Sequence, residues 1–180
     1  MALFRSAFTA GARRVGLARG EGRTLAVVIG FVEKVRVWCE EEGLSLDDVV
    51  ASQLHDDMFP FHFQIVSASH HSLGALRSVQ TGEFSPPPKM ELDFAGLQSL
   101  VAEARSGLTD FPPDVVNGFE GGEVVFKLGG QSMLFAAEGF LLTFSLPNFY
   151  FYTVTAYDIL RFKGAPIGKR DFLGPLKLKG

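Results

Sequence analysis

The sequence predicts an all-α protein: a bundle of four long helices with a small β-hairpin inserted before the last of them. Three observations carry this expectation. Leu25, Val28, Val32, Val35 and Cys39 recur at alternating spacings of three and four, the period of an amphipathic helix. The stretch GFLLTFSLPNFYFYTVTAYDILRFKG, Gly139 to Gly164, carries no charge before Asp158 and holds every tyrosine of the chain, so it reads as a helix surrounded by protein or lipid. Val124, Phe126 and Leu128 alternate up to Gly129-Gly130, and Ser132 to Phe135 resume an extended pattern, which marks a hairpin.

Composition bounds the rest. With 180 residues, 47% of them hydrophobic, and 18 phenylalanines, the chain is long enough to enclose one aromatic core. A net charge of −3, with no basic patch carrying interleaved aromatics, argues against nucleic acid as a partner. The single cysteine, Cys39, forms no internal disulfide and suits a reducing compartment, with a small buried hydrophobe as its expected role.

Three regions are expected: an arginine-rich extension over 1–22, the helical bundle over 23–174 and a basic tail over 175–180. Arg5, Arg13, Arg14 and Arg19 stand in a stretch without acids, with Phe4, Phe8 and Val15 spaced for one helical face. That composition fits a mitochondrial transit peptide or a lead-in to the first helix. The expected location is accordingly the cytoplasm, or the mitochondrion if the stretch is a transit peptide. The first helix runs from Thr24 to Glu42, widened by Phe31 and Trp38, and Gly43 ends it. Ser45, with Asp48 three residues on, caps a short helix to about Gln53.

Pro60 suits the first turn of a second long helix reaching about Val79, with Phe63, Val66 and Leu73 as its core stripe. TGEFSPPP, Thr81 to Pro88, is a stiff linker. Asp93 caps a third helix whose inward positions are Phe94, Leu97, Val101, Ala104 and Leu108. Phe111-Pro112-Pro113 stops it, and loop follows from Asn117 to Gly122. In the last helix Pro147 requires either a kink or a fresh start with the proline in the first turn, and both place Asn148 beside irregular backbone. The uncharged run approaches the roughly 20 residues of a membrane span, but Pro147-Asn148 and the dilution by tyrosine and threonine argue for a soluble core helix. No membrane partner is expected.

Two constellations bear on chemistry. His55, His62, His70 and His71 lie in or just before the second helix, yet no pair has the spacing of three or four that would face one ion from one helix. His70 reads as a core-edge histidine with one hydrogen bond, His62 similarly, and His71 as solvated. The second set is Asn148, Tyr152, Thr155, Tyr157, Asp158 and Arg161. Either these polar groups, with Lys169, Arg170 and Asp171, tie the C-terminal segment to the bundle, or they line a polar pocket for a small anionic ligand. GFEGG near Gly118 precedes an extended segment, so it is no phosphate loop, and GxSxG, HExxH, CxxC and dinucleotide fingerprints are absent.

LPNFYFYTVTAYDILRFKGAPIGKRDFLG, Leu146 to Gly174, and LHDDMFPFHFQ, Leu54 to Gln64, resemble the DUF1993 family of uncharacterised proteins, grouped with the DinB/YfiT-like four-helix bundles. The second stretch matches an L-x-x-D-M-F-P-x-x-x-Q signature through Leu54, Asp57, Met58, Phe59, Pro60 and Gln64, and Glu33-Lys34 and Leu128-Gly129-Gly130 also agree. The resemblance implies a DinB-like bundle with the hairpin insertion, and by analogy a homodimer. Better-known members of that superfamily bind a divalent metal through three histidines, two on the last helix, and some transfer thiol cofactors. Where many DUF1993 relatives read FYFH, this chain reads Phe149-Tyr150-Phe151-Tyr152, and a phenol with a pKa near 10 is a poor ligand for zinc or nickel. No metal and no cofactor is therefore expected.

The function expected is a non-catalytic bundle that binds a small molecule or a partner. Its candidate pocket comprises Asp57, His62, His70, Asn148, Tyr152, Asp158, Arg161, Lys169 and Arg170. The alternatives are a metal-dependent thiol transferase or hydrolase built on His62 or His70 with Asp57 or Asp158, and a purely structural interaction module.

Overall fold

The computed structural model describes residues 10–112, 118–119, 121–176 and 178–179, with side chains from Ala18 onward. The arginine-bearing start before Ala10, Asn117 and Lys177 lie outside the described residues. Helix α1 spans Ala10–Glu42. It starts well before Thr24, the expected first residue, and runs unbroken across the expected boundary at 22. Leu25, Val28, Val32, Val35 and Cys39 are all buried, as their spacing requires. Gly43 ends the helix in the left-handed region at φ 66°, where a side chain would be strained.

Helix α2 is Leu46–Val50, with Ser45 Oγ accepting from the Asp48 N–H. After a turn, α3 (Phe61–Ser69), a π-helical turn over His70–Gly74 and α4 (Ala75–Thr81) form one continuous rod. The Gln64 side chain donates to the Phe59 carbonyl at 2.7 Å across Pro60, and Phe61 N–H reaches Ser52 O at 2.7 Å. The buried glutamine of the L-x-x-D-M-F-P-x-x-x-Q stretch thus clamps the chain reversal in front of α3.

Gly82 closes α4 at φ 79°. The next two residues form a strand that the sequence does not announce: β1, Glu83–Phe84, sits in the stretch expected to be linker. It pairs in parallel with β2 (Glu123–Leu128), which pairs antiparallel with β3 (Gln131–Ala136). The two-residue turn Gly129-Gly130 has φ 56° and 81°, the twist a tight hairpin needs. Phe84 draws β1 in, because its ring packs against Phe140 (5.0 Å), Phe126 (5.7 Å) and His70 (4.5 Å).

Helix α5 spans Phe94–Asp110, with Asp93 Oδ1 capping the Gly96 N–H at 2.7 Å. Its five expected inward residues are all buried. The last rod comprises α6 (Ala137–Gly139), a second π-helical turn over Phe140–Ser145 and α7 (Leu146–Phe162), with Pro147 in the first turn of α7. Asn148 Nδ2 donates to the Phe144 carbonyl at 2.7 Å, and Thr143 Oγ1 to that of Gly139 at 2.6 Å. Side chains so supply donors next to a proline that has no N–H. Helix α8 is Lys169–Leu173.

The long rods pack in the order α1 on α5, α5 on α3, α3 on α7 and α7 back on α1. At one crossing α5 has Gly107, where a Cβ would come within 2.4 Å of Leu73 Cδ2. The expectation that the last helix is surrounded on all sides needs correction. Phe149, Ile159 and Leu160 are buried, whereas Phe151, Val154 and Phe162 on the opposite stripe are exposed, Phe162 by 72%. No helix of the described residues is long and apolar enough to cross a membrane.

Candidate functional site: a cleft under the proline strap

The chain between β1 and α5 crosses the α3–α4 rod as a strap. Its three prolines, Pro86 to Pro88, hold it extended and stiff, and the space beneath it is a cleft of two adjoining chambers. One, of about 190 Å³, is lined by Ser69, His70, Leu73, Gly74, Arg77 and Glu103 among others. The second, of about 380 Å³, includes Phe59, His62, Phe63 and Lys89. Val66, Pro87, Pro88 and Met90 line both.

Both histidines of the cleft are fixed by main chain at the two ends of the strap. His70 Nε2 lies 2.7 Å from the Ser85 carbonyl. A carbonyl only accepts, so Nε2 carries the proton and Nδ1 is left with a bare lone pair. That nitrogen sits over Gly74, where a Cβ would fall 2.9 Å from it. The Leu92 N–H donates to His62 Nε2 at 3.4 Å, so the neutral ring of His62 has its proton on Nδ1. The cleft therefore contains one imidazole that accepts and one that donates. Burial pushes the pKa of His70 below its ordinary value, against the opposing pull of the Ser85 hydrogen bond, which keeps the acceptor nitrogen free at neutral pH.

Ser69, 6% exposed, lines the smaller chamber, and its hydroxyl lacks a hydrogen-bond partner among the described residues. Arg77 and Glu103, on α4 and α5, face this chamber from two rods. Both are exposed, and among the described residues they form no ion pair with each other. These three residues and the strap escape a reading by local pattern. The proline run is the one signal that a rigid wall follows the second rod.

Of the residues expected in a pocket, His62 and His70 are brought together with the cleft. Asp57 is on the loop before α3, where His55 Nδ1 meets its carboxylate at 2.6 Å. Asn148 caps the π turn. Asp158, Lys169 and Arg170 are exposed and line neither chamber. Arg161 donates to the Ala165 carbonyl at 2.8 Å rather than pairing with Asp158. Of the residues expected to tie the C-terminal segment to the bundle, Asp171 does so by pairing with Lys34, and Arg23 adds a bond to the Pro175 carbonyl at 2.7 Å.

His71, expected in solvent, is 6% exposed and packs behind the cleft. The π turn takes in one more residue than an α turn, so a regular wheel misplaces its side chain. The ring stacks on Tyr152 (5.6 Å, 29°) and contacts Phe84 and Phe144. Its pKa is pushed down to about 4, first by burial and second by His70. Tyr152 is raised by burial, an effect the neighbouring Ser67 hydroxyl opposes, although Ser67 Oγ has no hydrogen bond of good geometry.

The three-histidine metal site that the resemblance implies does not fit these residues. Tyr152 stands against His71 where a ligand from the last rod would be needed, and its raised pKa keeps it a neutral phenol, a poor donor to a transition metal. Among the described residues no group of three or more His, Cys, Asp or Glu side chains could hold an ion.

The fold is that of DinB-like helical proteins. A crystal structure of a DinB family member protein from Shewanella denitrificans superposes with a TM-score of 0.78, covering 94% of this chain and 97% of that one at 21% identity. The family described as Domain of unknown function (DUF1993) matches residues 22–173, and the chain belongs to it. No curated protein sequence matches the chain.

Proposed function

We propose that the protein is a non-catalytic, DinB-like four-helix bundle that binds a small molecule in the cleft under the proline strap. The observation that carries this reading is the pair of histidines whose outer nitrogens are fixed by Ser85 and Leu92. Their inner nitrogens remain available as one acceptor and one donor above apolar walls. Few, convergent polar groups in an apolar cleft of several hundred Å³ characterise small-molecule sites. The alternative of a metal-dependent thiol transferase or hydrolase has less support, because the expected Asp57 and Asp158 do not share a chamber with His62 or His70.

A fragment screen read by the His62 and His70 ring resonances, alongside metal analysis of protein purified without chelator, tests the proposal. Fragments that shift both rings, with displacement lost in His70→Phe, support it. Stoichiometric zinc or nickel that is lost in His70→Ala would establish the metal enzyme instead.

A partner-binding role is a second reading, favoured by the exposed stripe Pro147, Phe151, Val154 and Phe162 on α7. The occupant we infer is a second copy of the chain. Asp158 lies on the same stripe without a partner among the described residues, next to Arg161 and Lys163, so a two-fold pairing can set the acid of each copy against the bases of the other.

A further inference from the structure

We propose that the smaller chamber seats a free apolar α-amino acid, bound as its zwitterion. This deepens the reading of the cleft as a ligand site and rests on it. Arg77 and Glu103 line the chamber from different rods and form no ion pair with each other among the described residues. Two opposite charges facing one cavity without closing on each other favour a ligand that carries both signs. A simple anion would meet Arg77 but be repelled by Glu103, and a simple cation the reverse.

The remaining polar groups sort the two ends. His70 Nδ1 is an acceptor, as its Nε2 proton is committed to Ser85 O, so it joins Glu103 in receiving the N–H groups of an ammonium. The carboxylate then falls to Arg77, whose planar fork suits it. The unpartnered Ser69 hydroxyl borders the same space and can donate to either carboxylate oxygen. Val66, Leu73, Met90, Leu100 and Ala104 form the apolar lining that takes the side chain. At about 190 Å³ the chamber lies below the few hundred Å³ of a site for a drug-sized ligand, so it suits a compact solute such as an amino acid. The adjoining chamber, with Phe59 and Phe63, gives a long or aromatic side chain room to extend.

The test is a calorimetric and NMR titration of the full chain with L-leucine, N-acetyl-L-leucine, L-leucinamide and the neutral 4-methyl-1-pentanol. Leucine is expected to bind and to shift the His70 ring, with at least tenfold weaker binding when either charge is blocked. Arg77→Gln should weaken leucine and strengthen the cationic leucinamide, whereas Glu103→Gln should weaken leucine and strengthen the anionic N-acetyl-leucine. Both residues are exposed, so unaltered melting temperatures serve as the folding control. Equal binding of leucine and its N-acetyl form, or no effect of Arg77→Gln, overturns the zwitterion while leaving the cleft as a ligand site. If none of the four probes perturbs His62 or His70, both readings fall.

Discussion

His71 and Ser145 hold each other across the two rods at the points where both widen into π-helical turns. Ser145 Oγ donates to the His71 carbonyl at 2.7 Å and lies 3.2 Å from His71 Nδ1. The hydroxyl has one proton, already given to the carbonyl, so Nδ1 must be the donor in the second bond. Wide turns leave backbone groups off the regular ladder, and here one serine serves the opposite rod at the site of its distortion. Ser145→Ala would strip a buried carbonyl and a buried ring N–H of partners together. The expected cost is about 1–3 kcal/mol, read from urea unfolding, and an unchanged midpoint would show that the pair is dispensable.

Acid should destabilise the fold through His71. The folded pKa of about 4 lies below the ordinary 6.5, so between these values the unfolded chain takes up a proton that the folded chain refuses. Stability from this group is therefore intact above pH 6.5, is lost as pH falls to 4, and declines no further below that. The loss amounts to about 3 kcal/mol at roughly 1.4 kcal/mol per pKa unit. His71→Gln should flatten this limb of the urea midpoint against pH, relative to the wild type.

Alkali should act in the opposite sense through Glu21. It is 2% exposed, its Oε2 has no partner among the described residues, and burial raises its pKa from 4.5 to about 8. Between those values the unfolded chain has released a proton that the folded chain keeps, so stability falls as pH rises through this window. Glu21→Gln, whose amide is a buried polar group just as the protonated acid is, is expected to exceed the wild type at pH 8 by roughly 4 kcal/mol, from the rise in pKa from 4.5 to about 8 at roughly 1.4 kcal/mol per pKa unit. At pH 4.5 the two should unfold alike. Parallel profiles for variant and wild type would refute the assignment.

The packing of α5 against Leu73, in the π-helical turn of the second rod, depends on a missing side chain at Gly107. Gly107→Ala sets a methyl 2.4 Å from Leu73 Cδ2 and should cost about 1–3 kcal/mol through overpacking, despite the higher helix propensity of alanine. Leu73→Ala in the same chain should restore part of the loss, since it vacates the space. A denaturation cycle over the four proteins measures that coupling.

The exposed stripe on α7 predicts self-association. Phe151→Asp with Phe162→Asp should convert a dimer to a monomer in sedimentation while raising, or leaving unchanged, the melting temperature of the isolated chain. A wild type that sediments as a monomer would remove the second reading.

Much of the architecture is written in short-range pattern. The caps at Ser45 and Asp93, the glycine stop at Gly43, the five-residue inward face of α5 and the Gly129-Gly130 hairpin each depend on residues within a few positions of one another, where spacing and backbone preference act directly. His70 is, as expected, a core-edge histidine with one hydrogen bond, although its partner, the Ser85 carbonyl, comes from the strap rather than from its own rod. The sequence by itself thus determined the helical rods, their order and the absence of imidazole from the last one. Only the tertiary structure decided that Phe84 pulls two linker residues into a sheet, that a π turn swings His71 inward, and that Arg77 and Glu103 come to border one chamber. Those outcomes arise from contacts between residues far apart in the chain, whose geometry no local periodicity encodes.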